Sequence, residues 1–287
     1  MTAHPLERPT LISAHLLLAR GQNAAAEAAL REALAQEPNL PRVSLALARL
    51  RWPGPDYRYW LAWLHQTLRP ACYIEIGVEK GESLALAQPS TKVIGVDPSP
   101  VGDPLAGCPA TARLYRQTSA EFLVAPPHDS GLRQNGFNLA FVDGDHRFEG
   151  ALDDFIGLQA WAAPGALVVM HDTLPLSELT ATQERQTGFY SGDGYKLVPC
   201  LRALLSKLPK LRIVTLPVAP TGLTLITGLE PQSQVLKHKR RDILDSYARV
   251  SAARAVERPE LVMGPLGRND SGWVQAWLRD AGVQSRN

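Results

Sequence analysis

Two short apolar runs in this 287-residue chain each end on groups that can hold a cation or move a proton. Leu139–Val142 runs into Asp143, Gly144, Asp145 and His146, and Ala166–Met170 runs into His171 and Asp172. Apolar runs this short, bounded by polar residues, read as strands buried on both faces. Between them Phe148–Trp161 carries apolar residues at helical spacing, and Pro164-Gly165 makes a turn. Strand, helix, strand implies a parallel pair, so both clusters sit at carboxyl ends in one sheet. Open α/β sheets bind ligands at that edge. Carboxylates and imidazoles gathered there suit cation binding or general acid–base work.

A second group lies upstream. The strand Cys72–Ile76 ends in a glycine turn, Glu75-Ile-Gly77-Val-Glu-Lys-Gly81-Glu-Ser83, from which a helix over Ser83–Ala87 is predicted. Gly77 permits a turn with unusual backbone angles, and Gly81 is expected to let a ligand approach the helix start. The next strand, Lys92–Val96, ends at Asp97, 20 residues after Gly77. At that spacing a strand-end carboxylate can grip the ribose of an adenosine cofactor. The turn lacks the second glycine of a dinucleotide fingerprint, and Glu75 would repel a pyrophosphate. A carboxylate there suits a cationic ligand instead, the amino group of a methionine moiety. The turn therefore favours S-adenosylmethionine over a nicotinamide dinucleotide.

The elements that must carry these groups follow in order. Leu114–Gln117 is read as a third strand, followed by Thr118-Ser119 and a helix from Ala120. The polar stretch Leu174–Gly194 leaves the active edge and is read as a lid or recognition loop, with Glu184, Arg185, Phe189 and Tyr190 in it. A helix over Lys196–Leu208 precedes two strands, Leu211–Pro217 and Gly222–Thr227, joined as an antiparallel edge hairpin. Helices over Gln232–Val250 and Trp273–Ala281, with a loop at Pro259–Gly272, complete the tail. The expectation is an α/β fold. It is a Rossmann-like, doubly wound sheet of seven strands, mostly parallel, preceded by a small helical segment. Three parts are expected: a helical arm (1–52), the α/β domain (53–230) and a helical extension (231–287).

In the arm, helices are read at Leu11–Arg20, Ala24–Ala35 and Val43–Arg51. Gly21, Ala26, Ala33 and Pro38 fall where a tetratricopeptide repeat has its small residues and proline, so the stretch resembles one such repeat. A single repeat cannot stack into a solenoid. It is either a docking or dimerisation arm or a cap on the main domain. Pro53-Gly54-Pro55 links it to an aromatic helix, Tyr57–Leu68, read as core packing or part of a lid.

Composition narrows the class. Lys and Arg total 30 against 28 Asp and Glu, so nothing asks for nucleic acid or an anionic membrane. No apolar stretch is long enough to span a bilayer, and the first residues do not read as a signal sequence. Three cysteines, Cys72, Cys108 and Cys200, have no metal spacing and suggest a reducing compartment, hence a cytoplasmic protein.

The motifs together resemble a family. Tyr-Ile-Glu-Ile-Gly-Val-Glu-Lys-Gly-Glu-Ser is similar to the first motif of class I S-adenosylmethionine-dependent methyltransferases, above all catechol-type O-methyltransferases. Val-Ile-Gly-Val-Asp-Pro is similar to their second. The stretch Phe-Val-Asp-Gly-Asp-His-x-Phe-Glu-Gly-x-x-x-Asp-Phe, with Pro-Gly-Ala-Leu-Val-Val-Met-His-Asp-Thr, resembles the bacterial branch of macrocin O-methyltransferase and the cephalosporin-hydroxylase-like enzymes (methyltransferase family 24-like). The resemblance covers about residues 57–228. It implies cofactor contacts from Glu75, Gly77, Gly81, Ser83, Asp97, Ser119, Asp143 and His146, with Ser119 and His146 beside the adenine. It implies a divalent ion, Mg²⁺ first, on Asp143, His171 and Asp172, with Asp145 or His146 as general base. Some members of the branch have an acid where His171 stands. Imidazole favours softer metals than Mg²⁺, so a softer ion, or none with His171 as base, stays open. Ser-Gly-Asp-Gly-Tyr-Lys at 191–196 resembles a stretch of the same branch, and Asp193, Tyr195 and Lys196 are expected to order the lid or touch substrate. The implied activity is methylation of a hydroxyl on a small molecule of sugar or natural-product type. N-methylation, a non-catalytic protein recruiting a partner through its arm, and homo-oligomerisation through the helical segments are the alternatives.

Overall fold

A computed structural model describes residues 4–285. Its first elements are helices α1 (Glu7–Ala19), α2 (Asn23–Gln36), α3 (Pro41–Arg51) and α4 (Tyr57–Leu68). Pro41 opens α3, where its missing N–H costs nothing, and the Asp56 side chain accepts the Tyr59 N–H to cap α4. Then come β1 (Cys72–Ile76), β2 (Lys92–Val96), β3 (Thr111–Tyr115), α5 (Ser119–Val124) and α6 (Leu132–Asn135). Thr118 and Glu121 form a reciprocal capping box that fixes where α5 begins. β4 (Phe137–Val142), α7 (Phe148–Gln159), β5 (Ala162–His171) and α8 (Leu197–Ala203) follow. β6 (Arg212–Leu216), β7 (Leu223–Thr227), α9 (Val235–Tyr247), α10 (Ala253–Glu257), α11 (Pro259–Met263) and α12 (Ser271–Asp280) close the chain.

The seven strands form one sheet in the order β3-β2-β1-β4-β5-β7-β6. β3, β2, β1, β4 and β5 are parallel, and β7 runs against both β5 and β6. The chain reverses its winding between β1 and β4, so a crevice opens beyond their carboxyl ends.

Period-2 alternation sorts the strand residues onto two cores. Ile74, Ile76, Ala140, Val142, Val168 and Met170 pack with Phe122 of α5, Phe155 of α7, Leu201 of α8 and Leu236 of α9. Tyr73, Leu139, Phe141, Leu167 and Val169 pack on the other face with Trp60 and Leu64 of α4 and Val274 and Leu278 of α12. A third core joins Ala26, Leu30 and Leu47 of the arm to Leu174, Leu176, Tyr195, Ala255 and Met263. The arm thus packs on the α/β body and shares a core with the C-terminal extension. Among the described residues no helix is long and apolar enough to cross a membrane.

Four elements differ from the sequence reading. The helix expected at Ser83–Ala87 is a single 3₁₀ turn, Leu84–Leu86, so no α-helix start faces the glycine turn. The third strand lies upstream of its expected place, because alternating Thr111–Tyr115 is a half-exposed edge strand and not an apolar run. Pro164-Gly165 does not end a segment, since β5 runs through it with an irregular register against β4. Within Pro259–Gly272, expected as loop, Pro259 opens the short helix α11.

Candidate active site

Gly77, Asp97, Asp143 and Asp172 follow directly from the carboxyl ends of β1, β2, β4 and β5. A cavity of about 970 Å³ lies over these ends and is lined by all four. Ser83, Ser119, Asp145, His146 and His171 also line it, with Tyr57 from α4 and Arg185, Phe189 and Tyr190 from the loop after β5.

Gly77 has φ +83°, and a Cβ there would lie 2.3 Å from the Asp143 carbonyl oxygen. Only glycine lets the first turn approach the end of β4 so closely. Gly81 has a different reason from the expected one. A Cβ on it would strike the Pro104 carbonyl at 1.9 Å, so protein and not ligand fills that space, and Gly81 does not line the cavity.

Asp97 accepts N–H bonds from Val78 (2.9 Å) and Glu79 (2.8 Å) through Oδ2, and from Ser99 (2.7 Å) through Oδ1. It ties the glycine turn to β2 while a carboxylate's remaining lone pairs face the cavity. Glu75 is fully buried and lies behind Ser83. It accepts hydrogen bonds from Tyr73 Oη (2.5 Å) and Ser83 Oγ (2.6 Å). Burial pushes its pKa up to about 8; the two hydroxyl bonds oppose this, and the charges of Asp143 and Asp97 add to it.

At the other end of the cavity the acids and imidazoles interlock. His171 Nδ1 donates to Asp143 Oδ1 (3.0 Å) and lies 3.5 Å from Asp172 Oδ1. His146 Nδ1 donates to Asp172 Oδ2 (2.7 Å), and the Thr221 hydroxyl donates to Asp172 Oδ1. Asp172 itself has φ +57°, a left-handed conformation that a non-glycine residue holds only when its surroundings fix it. Burial opposes a charge on Asp172, yet His171 and His146 outweigh it and hold its pKa low.

Among the described residues, the acidic group whose ligand atoms come within 4.8 Å of one another is Asp143, His146 and Asp172. His146 thus joins the two acids, and His171 stays beside them through Nδ1. The His171 ring also lies against Tyr57, with centroids 4.4 Å apart. Burial alone would strip its proton. The charges of Asp143 and Asp172 and the bond to Asp143 outweigh that and push its pKa up to about 9. The His171 ring thus lies between the two carboxylates, with Nδ1 3.0 Å from Asp143 and 3.5 Å from Asp172. For His146 too, burial works against charge, but the bond to Asp172 and its charge raise the pKa. The ring is turned to the acids and meets Tyr190 edge-on.

Asp145 is held differently. Arg147 grips both its oxygens, with Nη2 at 2.7 Å, and also donates its backbone N–H. Burial would raise the Asp145 pKa, but these contacts lower it, which makes Asp145 a weak proton acceptor.

Asp193, Tyr195 and Lys196 do not line the cavity. Asp193 Oδ1 accepts the Phe148 N–H at the start of α7 (2.7 Å), and its Oδ2 accepts from Lys196 Nζ (2.9 Å). Gly194 N–H donates to the His146 carbonyl, and Gly192 packs against the same residue where a Cβ would clash. Tyr195 is buried in the third core. The stretch 191–196 therefore clamps the loop that carries Asp145 and His146, a positioning role in place of a substrate contact. The loop before it touches the arm, where Gly188 N–H donates to Asn39 Oδ1 (2.7 Å).

Thr221, which bonds Asp172, escaped the sequence reading, whereas Tyr57, read there as core or part of a lid, lines the cavity and meets His171. Thr221 lies in the turn of the edge hairpin. Because β7 starts opposite His171, that turn must lie at the carboxyl end of β5. The antiparallel pairing was the available signal.

Sheet order, the reversed seventh strand and a cavity over the β1 and β4 ends make this a Rossmann-like, doubly wound fold. A family model described as a methyltransferase domain matches residues 74–173, a stretch that holds Glu75, Asp97, Asp143, His146 and Asp172. Residues 74–173 of the chain thus match a methyltransferase domain. A comparison with curated proteins returns no match. Solved structures similar to it include an O-methyltransferase from Bacillus cereus in complex with S-adenosylhomocysteine, at 12% identity and TM-score 0.45, covering 64% of this chain and 88% of that one. The methyltransferase PaMTH1 of Podospora anserina is similar at 16% identity and TM-score 0.44, covering 64% and 85%. TomG, an O-methyltransferase of Streptomyces achromogenes involved in tomaymycin synthesis, is similar at 16% identity and TM-score 0.44, covering 64% and 88%.

Proposed function

We propose that this chain transfers the methyl group of S-adenosylmethionine to a hydroxyl of a small molecule, with a divalent cation at the acidic strand ends. One observation carries the reading. The ligand atoms of Asp143, His146 and Asp172 converge within 4.8 Å in the same cavity that Gly77 and Asp97 line. Two carboxylates and an imidazole fit a divalent ion. The imidazole makes Mn²⁺, Fe²⁺ or Zn²⁺ as suitable as the Mg²⁺ expected from the resemblance. When bound, the ion lowers the pKa of a hydroxyl and fixes it.

The chain's own residues supply the rest. Asp97 receives the ribose, and Ser83, with Glu75 behind it, faces the amino group of the methionine moiety. The acceptor oxygen approaches the sulfonium methyl in line. The acidified hydroxyl gives its proton to solvent water, an oxygen–carbon bond forms, the carbon–sulfur bond breaks, and sulfur keeps the electron pair as S-adenosylhomocysteine leaves. Tyr57, Phe189 and Tyr190 keep water from the transferring methyl, and holding both reactants in line removes much of the barrier. Calorimetric titration with S-adenosylmethionine, with and without Mn²⁺ or Mg²⁺, tests this. Cofactor binding plus a metal isotherm lost in Asp143→Ala supports it, and no cofactor binding in either condition removes it.

A second reading rests on the 2.7 Å bond between His146 and Asp172. Asp172 orients the ring through Nδ1, leaving Nε2 to take the hydroxyl proton without a metal, the orienter–base logic of hydrolytic triads. Methyl transfer undiminished by a chelator selects this reading over the first.

A further inference from the structure

The wall of the cavity built by the loop after β5 carries a charge that neither reading uses. Four cations line the cavity: Arg58, Lys80, Arg147 and Arg185. Glu82 takes Arg58, and Asp145 takes Arg147. Lys80 belongs to the glycine turn, on the side read as the cofactor's. Arg185 is exposed, and it is the one cation of the loop Leu174–Gly194. Among the described residues no carboxylate pairs with it. Its bonds go to backbone instead: Nε donates to the Thr187 carbonyl (3.2 Å) and Nη2 to the Gly188 carbonyl (2.8 Å). These bonds hold the guanidinium in place without neutralising it. They use the edge that Nε shares with Nη2. The edge that Nη1 shares with Nη2 has no acceptor among the described residues, and its paired N–H groups match the two oxygens of a carboxylate.

Its place relates that edge to the reacting hydroxyl. The Arg185 guanidinium lies over the Tyr190 ring, 5.7 Å from the centroid, and the same ring meets His146 edge-on with centroids 5.6 Å apart. One aromatic ring thus separates the charge from the imidazole at the acidic strand ends. The loop between them is tied down, since the Tyr190 hydroxyl donates to the Gln183 carbonyl (2.8 Å) and Gly188 N–H to Asn39 of the arm. We propose that the methyl acceptor is a ring-sized hydroxy acid whose hydroxyl goes to the acidic strand ends and whose carboxylate is held by Arg185, which thereby selects acids over neutral acceptors. The carboxylate is gripped and not methylated; the bonds made and broken are those of the transfer to the hydroxyl. A single guanidinium with a planar open edge fits the single charge of a carboxylate. A phosphate monoester carries more charge, and this loop has no second cation to meet it.

The proposal rests on the methyl-transfer reading, and its test separates the two. The probes are a hydroxybenzoate, a dihydroxycinnamate and a methyl glucuronoside, each beside its primary amide, and a hydroxyphenyl phosphate. The full chain is supplied with S-adenosylmethionine and Mn²⁺, methyl ethers are identified by mass spectrometry, and kcat/KM is measured for each compound. In wild type the acid that reacts best should exceed its amide by about tenfold or more. Arg185→Gln should bring that ratio near one, and Arg185→Lys, which keeps a point charge without the fork, should retain part of it. The ratio compares two substrates of one protein, so loss of folded material in a variant cancels. A ratio near one in wild type overturns the proposal, as does a ratio unchanged in Arg185→Gln or a phosphate that outperforms the acids. Failure to methylate any acid, in a protein that calorimetry shows to bind S-adenosylhomocysteine, overturns the proposal and leaves the methyl-transfer reading standing. No binding of S-adenosylhomocysteine removes both.

Discussion

Replacing Glu75 by Gln tests how the first turn is built. Glu75 is fully buried, with its oxygens engaged only by the Tyr73 and Ser83 hydroxyls. Its pKa is raised from 4.5 to about 8, first by burial and then by the nearby Asp143 and Asp97 charges, against the two hydroxyl bonds. In the unfolded chain the same group ionises near its ordinary value. Between these two values the folded state binds the extra proton, so wild-type stability falls as pH rises from about 4.5 to about 8 and levels off above. A difference of that size is worth roughly 5 kcal/mol at most. Gln cannot ionise and keeps a hydrogen-bonding head of the same shape. The urea-unfolding free energy of Glu75→Gln minus that of wild type should therefore grow by about 2 kcal/mol or more between pH 5 and pH 8.5. Comparing the two proteins cancels the other titrating groups. A stability gap that stays constant across the pH range would refute this view of Glu75.

Three further outcomes are expected. Gly77→Ala, which combines φ +83° with a Cβ 2.3 Å from the Asp143 carbonyl, should cost more than about 1 kcal/mol and lower the melting temperature; an unchanged melt would contradict the close approach. Asp193→Ala takes the carboxylate from the buried Lys196 ammonium and the acceptor from the Phe148 N–H, and should destabilise by about 3–5 kcal/mol in chemical unfolding, whereas a loss below about 1 kcal/mol would mean that the clamp carries little. Asp145→Asn should change the methyl-transfer rate by less than about tenfold, while His146→Ala should lower it by about a hundredfold or more; the reverse order would make Asp145 the base despite Arg147.

The sheet was legible because its central strands are buried on both faces. Cys72–Ile76, Lys92–Val96 and Leu139–Val142 are apolar runs that end on charged or glycine residues, and they stand where the sequence put them. The acids at their ends were legible for the same reason, since a strand end fixes where the next side chain must lie. What failed depended on contacts between distant segments. Asp172 turns into a left-handed conformation and accepts the Thr221 hydroxyl from the hairpin turn, and both His146 and His171 meet it there. No local pattern around His146 or His171 distinguishes them. The role of Gly81 is likewise set by Pro104, more than twenty residues away. The clamp of Asp193 and Lys196 on α7 reads in sequence as a glycine turn with a charge pair, and only the fold brings Phe148 to it.

The most direct measurement is a crystal structure grown with S-adenosylhomocysteine and Mn²⁺, with anomalous scattering recorded at the manganese edge. An anomalous peak between Asp143, His146 and Asp172, with the sulfur near Gly77 and the ribose on Asp97, is the expected result. A peak elsewhere, or S-adenosylhomocysteine bound with no ion and His171 still bridging the carboxylates, would contradict the metal-assisted reading. No nucleoside in the cavity at all would contradict the site itself.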